Sequence, residues 1–189
     1  MYTQNNEEEV ILNFFGDKKG TVLEIGAYHP EIFSNSRALI LNGWDAVLVE
    51  ASPDCFQTIK SFYQDDHKVK VVNVAIADYD GVIKFYDSQG AVATAHKDHC
   101  DKWTYQTDYK ETFVQCISWE TFYDLYPGIY DFISIDTEGL DYTILKQIDL
   151  TKTQTELLCV EYTYNTKEIN DYLYNSGFRK LLYQNGENV

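Results

Sequence analysis

Short apolar, β-branched runs alternate along the chain with segments of helical period, and Gly, Asp or Asn stand between them. Thr21–Ile25 reads as a buried strand, Phe33–Leu41 as a helix closed by Asn42-Gly43, and Ala46–Glu50 as the next strand. Ser52-Pro53 then supplies an N-cap and a first-turn proline. Cys55, Phe56, Ile59, Phe62 and Tyr63 follow at the spacing of a core-facing helical stripe. Val69–Ala75 is a third strand, and Asp80-Gly81 turns the chain into an extra strand, Val82–Tyr86, with no helix between them. Residues 88–112 are polar and poor in period, which predicts a long loop over one face, a favoured place for substrate contacts.

Thr112–Ile117 reads as a short strand, and Ser118 caps a helix carrying Trp119, Phe122, Tyr123 and Tyr126, stopped by Pro127-Gly128. Tyr130–Asp136 is the clearest inner strand, and Leu140, Ile144, Leu145 and Ile148 mark the helix after it. Leu157–Glu161 is another inner strand, Ile169, Tyr172 and Leu173 mark a last helix ended by Gly177, and Phe178–Tyr183 is a closing strand. Residues 1–19 precede all this as an N-terminal helix or extension. Strands that alternate with helices predict an α/β fold, a mostly parallel sheet with helices on both faces.

Composition narrows the picture. A length of 189 residues fits one domain with a real core, and 44% hydrophobic residues with 16 tyrosines and 10 phenylalanines are too many for disorder. A net charge of −15 argues against a protein that tracks nucleic-acid phosphates and against docking on anionic membranes. The N-terminus is polar and acidic, unlike a secretion signal, and no apolar run approaches the roughly 20 residues that span a bilayer. Cys55, Cys100, Cys116 and Cys159 are scattered without a C-x-x-C pair, as expected of buried thiols in a reducing, cytoplasmic compartment.

Candidate chemistry gathers at the strand ends, where open α/β sheets bind ligands. The inner strands run out in acids: Glu24, Glu50, Asp136 and Glu161. An acid at the end of the second strand can accept both hydrogens of a ribose diol, and Glu50 lies at a suitable distance beyond Gly26. The turn after the first strand, Glu24-Ile-Gly26-Ala-Tyr-His29-Pro30, has one glycine where a dinucleotide fingerprint needs three, and no P-loop is present. This disfavours a nicotinamide-dependent oxidoreductase and points to a nucleoside cofactor without pyrophosphate, S-adenosylmethionine.

Glu24-Ile-Gly-Ala-Tyr-His, Ser34-Asn35-Ser36, Gly43-Trp44, Leu48-Val-Glu50-Ala-Ser-Pro53 and Ala75-Ile-Ala-Asp78 occur in that order, followed by Ser134-Ile-Asp136-Thr-Glu138-Gly139-Leu-Asp141 and Cys159-Val-Glu161-Tyr. This ordered set resembles the FkbM family of S-adenosylmethionine-dependent methyltransferases over nearly the whole chain. The resemblance implies a Rossmann-like class I methyltransferase fold. It also implies that Glu24, Gly26 and Ala27 line the methionine end of the cofactor with Asn35 near it, that Glu50 and Ala51 hold the ribose, and that Asn73, Val74 and Ala75 border the adenine. The acceptor implied is a hydroxyl of a small molecule or glycan. His29-Pro30 departs from the acid and glycine usual there, a change that would reshape the cofactor's carboxylate end. A binding or interaction module of the same fold, without turnover, is the alternative this departure leaves open.

Methyl transfer to an alcohol requires alignment and removal of a proton. Asp136, Glu138 and Glu161 are the candidate bases, and the same trio could hold a divalent cation. The structural reading beside these is that Asp136 positions the cofactor and Glu138 caps the next helix. His96 or His99 is a candidate acid–base group facing substrate. The spacing of His96, His99 and Cys100 matches no zinc pattern. Trp103, Tyr105 and Tyr109 could stack on a ring substrate or hold the long loop down.

Overall fold

The computed structural model describes residues 1–181. Helix α1 (Glu7–Phe15) leads into β1 (Thr21–Ile25), α2 (Arg37–Leu41), β2 (Asp45–Glu50), α3 (Pro53–Phe62) and β3 (Val69–Asn73). Then come β4 (Ala75–Ala77), β5 (Gly81–Asp87), α4 (Lys97–Trp103), β6 (Lys110–Ser118) and α5 (Trp119–Leu125). The chain continues through β7 (Phe132–Ile135), α6 (Asp141–Leu145), α7 (Leu150–Thr153), β8 (Leu157–Val160) and α8 (Thr166–Asn175).

Five strands form a wholly parallel sheet in the order β3-β2-β1-β7-β8. The order reverses beside β1, where the chain leaves for one edge and returns to the other, so a crevice opens at the carboxyl ends of β1 and β7. Period-two alternation sorts the strand side chains between two cores. Leu23, Ile25, Ile133 and Ile135 pack under Trp119, Phe122, Ile144 and Ile169 from α5, α6 and α8. Val22, Leu48 and Phe132 pack under Phe15, Leu39 and Ile59 from α1, α2 and α3. Both faces are covered, as the apolar runs predict.

Local chemistry sets several boundaries. Ser52 caps α3 with Pro53 in its first turn, and Ser118 caps α5 by accepting from the Thr121 amide. Gly43 follows α2 at a φ of +88°, the left-handed conformation that ends helices.

Four expectations need correction. The third strand stops at Asn73, and Ala75 belongs to a second sheet, β4-β6-β5, because it pairs with Cys116. The helix expected from Phe33 starts at Arg37, and Phe33 itself sits at a φ of +59°. Residues 88–112 are not one loop, since they contain α4 and the start of β6. Phe178–Leu181 form no strand, and Leu182 and Tyr183 lie outside the described residues. Among the described residues no helix is long and apolar enough to cross a membrane.

Candidate active site

The parallel register sets Gly26, Glu50, Asp136 and Glu161 at one level, each just past or at the end of its strand. The Gly26 amide donates to the Val49 carbonyl, the Asp136 amide to the Ile25 carbonyl, and the Glu161 amide to the Ile135 carbonyl. Gly26 is required here. Its φ is +87°, and a Cβ would lie 1.7 Å from the Asp136 carbonyl oxygen, so the β1 turn and the end of β7 touch through backbone alone.

Glu24 is not part of this row. It lies in phase with Val22 on β1, so its side chain turns to the α2 side of the sheet. There it accepts from the Asn35 amide at 2.7 Å and from the hydroxyls of Ser36 and Ser34 at 2.5 and 3.3 Å. Burial pushes its carboxyl up to about 7, against the lowering effect of these donors. Asn35 in turn donates to Ser134 Oγ at 3.0 Å. Glu24 and Asn35 therefore tie the segment before α2 to the sheet and do not line the crevice, contrary to the expectation from the family resemblance. Ala27 is likewise buried in the core on that side.

Glu50 is held at the mouth of the crevice by two backbone donors. Its Oε2 accepts from the Tyr28 amide at 2.8 Å and its Oε1 from the Ser52 amide at 2.7 Å. Burial raises this carboxyl to about 7, while the two amides lower it and the nearby Asp87 raises it. Asp87 is itself buried and accepts from Ser52 Oγ at 3.1 and 3.2 Å, so the α3 cap connects the two acids.

Around Glu50 a narrow cleft of about 60 Å³ is lined by Gly26, Tyr28, Ala51, Val74, Ala75 and Phe85, with Asp136, Thr137 and Glu138 at its other end. Six of the residues expected at the cofactor are thus brought together: Gly26, Glu50, Ala51, Val74, Ala75 and Asp136. Asn73 stands behind the wall, where its amide donates to the carbonyls of Glu50 at 2.8 Å and Ala51 at 3.2 Å. The turn at His29-Pro30 is closed on itself: His29 Nδ1 accepts from the amides of Glu31 and Ile32, both at 3.1 Å, and the Pro30 carbonyl accepts from Tyr63.

The acidic end is built by Asp141, for which the residue pattern suggests no separate role. Its Oδ1 accepts from the Thr137 amide and hydroxyl at 2.7 and 2.9 Å, and its Oδ2 from the Gly139 amide at 3.0 Å. Asp141, and not Glu138, orders the loop between β7 and α6, and no side chain caps that helix. The four-residue spacing of Thr137 and Asp141 is the one sequence signal of this turn. Glu138 sits at a φ of +57°.

Glu161 is buried, and one of its oxygens, Oε2, has no hydrogen-bond partner. Burial first, then the charges of Asp141, Asp136 and Glu138, drive its carboxyl far above the ordinary carboxylate range. Asp141 is raised by its own burial. Glu161 is thereby biased toward its protonated, neutral form. It does not reach the cleft wall, and neither does His96.

His96 packs against Gly139, where a Cβ would come within 2.8 Å of the His96 Cβ. The histidine nearest the acids is His99. It is 3% exposed, with Nε2 3.0 Å from Glu138 Oε2 but outside hydrogen-bond alignment, and with Nδ1 3.4 Å from the Tyr164 hydroxyl. Burial lowers its pKa to about 4, helped by Lys102 and His96, so the ring is neutral at pH 7. Among the described residues no group of three or more His, Cys, Asp or Glu side chains is disposed to hold a metal ion. The trio Asp136, Glu138 and Glu161 is not assembled as a cation site, and the four cysteines are buried and free.

A family model described as the methyltransferase FkbM domain matches residues 24–180. The chain belongs to that family. The matched span runs from Glu24 through the whole parallel sheet to the segment after α8. Among solved structures, the METTL16 MTase domain is similar at a TM-score of 0.52 with 17% identity, over 93% of this chain and 59% of that one. The N-terminal domain of human METTL16 has a TM-score of 0.46 at 17% identity, over 92% and 59% of the two chains. A human methyltransferase 10 domain containing protein has a TM-score of 0.43 at 14% identity, over 96% and 79%. The chain thus spans about three fifths of the METTL16 structures it resembles. At this identity the first likeness speaks for the fold, a class I methyltransferase fold. No curated protein matches the sequence significantly.

Proposed function

We propose that this FkbM-family chain is an S-adenosylmethionine-dependent methyltransferase acting on a hydroxyl of a small molecule or sugar. The observation that carries the reading is Glu50, fixed by the Tyr28 and Ser52 amides beside an apolar wall of Ala51, Val74, Ala75 and Phe85. A buried acid with spare lone pairs next to a flat apolar wall suits a ribose diol and its base. Gly26 keeps the neighbouring backbone bare, which suits close approach of the rest of a nucleoside.

When bound, S-adenosylmethionine supplies a methyl group on a sulfonium, already electrophilic. The chain has three tasks around it. Glu50 accepts hydrogen bonds from the ribose. Asp136, at the junction of cleft and acidic loop, faces the reacting end. Glu138, beside a neutral His99, is the carboxylate proposed to take the proton from the acceptor hydroxyl, while Glu161 stays protonated behind it.

Titration calorimetry with S-adenosylmethionine, S-adenosylhomocysteine and NAD tests the cofactor. Affinity for the first two and not the third is expected, and affinity for neither sulfur nucleoside refutes the proposal. Transfer of labelled methyl to a panel of monosaccharides and phenols then tests the acceptor class. For an acceptor that reacts, Glu138→Gln is expected to lower turnover by about 100-fold or more with cofactor affinity little changed.

A further inference from the structure

Residues 88–109, between β5 and β6, lie down over the cleft. Gly90, Ala91, Ala93 and Ala95 form one of its walls. Thr94 is fully buried, exchanges two backbone hydrogen bonds with Tyr86 at 2.8 and 3.1 Å, and donates its hydroxyl to the Glu138 carbonyl at 2.7 Å. The Tyr109 hydroxyl adds a second anchor, on the Val92 carbonyl at 2.9 Å. With this segment down the free space is about 60 Å³, whereas pockets for small ligands are on the order of 300 Å³ or more. A nucleoside cannot enter past a latched Thr94.

We propose that residues 88–103 are a strap that holds the empty cleft shut through Thr94 and lifts to admit the cofactor. The proposal rests on the methyltransferase reading above. With Thr94 seated on the Glu138 carbonyl, His99 Nε2 on α4 lies 3.0 Å from the Glu138 carboxylate, so the latch and this contact belong to the same closed arrangement. Both sides of the latch are wound unusually: Gln89 has a φ of +54° beside Gly90, and Glu138 and Gly139 have +57° and +124°. Such conformations cluster at switching segments. Opening of the strap therefore limits the entry of the cofactor.

Trp103 ends α4 on the strap, whereas Trp44 and Trp119 are buried in the two cores, so its fluorescence reports strap movement. Stopped-flow mixing with S-adenosylhomocysteine is expected to give an observed rate that reaches a plateau as ligand rises, the plateau being the rate of strap opening. Thr94→Val keeps the side-chain shape and deletes the latch. It is expected to raise the plateau about 10-fold, the equivalent of one buried hydrogen bond. Tyr109→Phe, which leaves the ring in place, is expected to raise the plateau as well. Hydrogen exchange at 88–103 is expected to quicken when ligand is bound, and the His99 ring 15N resonances to shift in Thr94→Val. A rate that rises linearly without a plateau overturns the strap, as do exchange that ligand leaves unchanged and kinetics unaltered in both variants. Unshifted His99 resonances in a faster Thr94→Val overturn its link to Glu138. Absence of any affinity for S-adenosylhomocysteine instead overturns the cofactor reading on which the strap depends.

Discussion

If Glu50 binds the ribose through a carboxylate whose pKa in the free protein is about 7, cofactor affinity must depend on pH in a defined way. Hydrogen bonds from the diol go to the ionised form, so binding pulls a proton off Glu50 whenever the pH lies below that value. Each pH unit below 7 costs about 1.4 kcal/mol, and at pH 5.5 the loss approaches 2 kcal/mol, roughly 30-fold in Kd. Above pH 7.5 affinity becomes flat. Glu50→Gln removes the titration, since an amide cannot ionise, and sets one amide NH2 against a backbone donor, Tyr28 or Ser52. Its affinity is expected to be about 10- to 100-fold weaker than wild type at pH 8 and independent of Glu50's pH slope. Titration calorimetry with S-adenosylhomocysteine from pH 5.5 to 8.5, on both proteins, reads the difference between the two slopes. Glu24 also titrates near 7, but its carboxylate is spent on Ser34, Asn35 and Ser36 and is common to both proteins. A wild-type affinity that is flat with pH, or the same slope in Glu50→Gln, would rule out Glu50 as the carboxylate that binds the ribose.

Other consequences can be measured on the folded protein alone. Gly26→Ala drives a methyl into the Asp136 carbonyl at a φ that disfavours alanine, and is expected to destabilise by about 3 kcal/mol or more, read as a large drop in Tm; an unchanged Tm contradicts the contact. Glu161 is neutral in the fold but ionised when unfolded near neutrality, so it lowers stability progressively as pH rises above the unfolded pKa near 4.5. Glu161→Gln removes this term, and its stability gain over wild type should be absent near pH 4 and grow toward pH 8 by at most about 1.4 kcal/mol per unit; a gain that ignores pH in denaturant titrations argues against a neutral Glu161. Ser52→Ala loses the α3 cap and the contact with Asp87 but keeps the amide that serves Glu50. It should cost about 1 kcal/mol of stability while affecting S-adenosylhomocysteine affinity less than Glu50→Gln does, and equal losses in the two variants would contradict that division.

The parallel sheet was legible because its strands are buried on both faces and read as near-continuous apolar runs, as in Val22-Leu23 and Phe132-Ile-Ser-Ile135. The ends of β1, β2 and β7 followed from the turns, and with them the places of Gly26, Glu50 and Asp136. Glu24 was misplaced although its alternation with Val22 carries the answer, since adjacent strand residues face opposite sides. Helix α4 had no such signal. The buried residues on it are His99 and Cys100, its N-cap His96 makes no side-chain cap, and a segment that buries an imidazole shows no apolar stripe. The role of Asp141 depends on a three-dimensional turn, and β4 separates from β3 only because Ala75–Ala77 find Cys116–Ser118 far along the chain.

The last pair of the antiparallel ladder, Asp87 with Lys110, encloses everything from Ser88 to Tyr109 as the tip of a hairpin. A hairpin tip enters and leaves its scaffold at one point, so its length and composition can change while the ladder beneath keeps its register. Doubling such a tip costs only about 0.6 kcal/mol in closure entropy. The parallel sheet, with Gly26, Glu50 and Asp136, makes no strand pairing with this segment. Evolution, or a designer, could therefore exchange the part of the tip from Lys97 to Asp108 as a cassette and redirect the chemistry to a new acceptor, while residues 90–95 keep their wall on the nucleoside cleft.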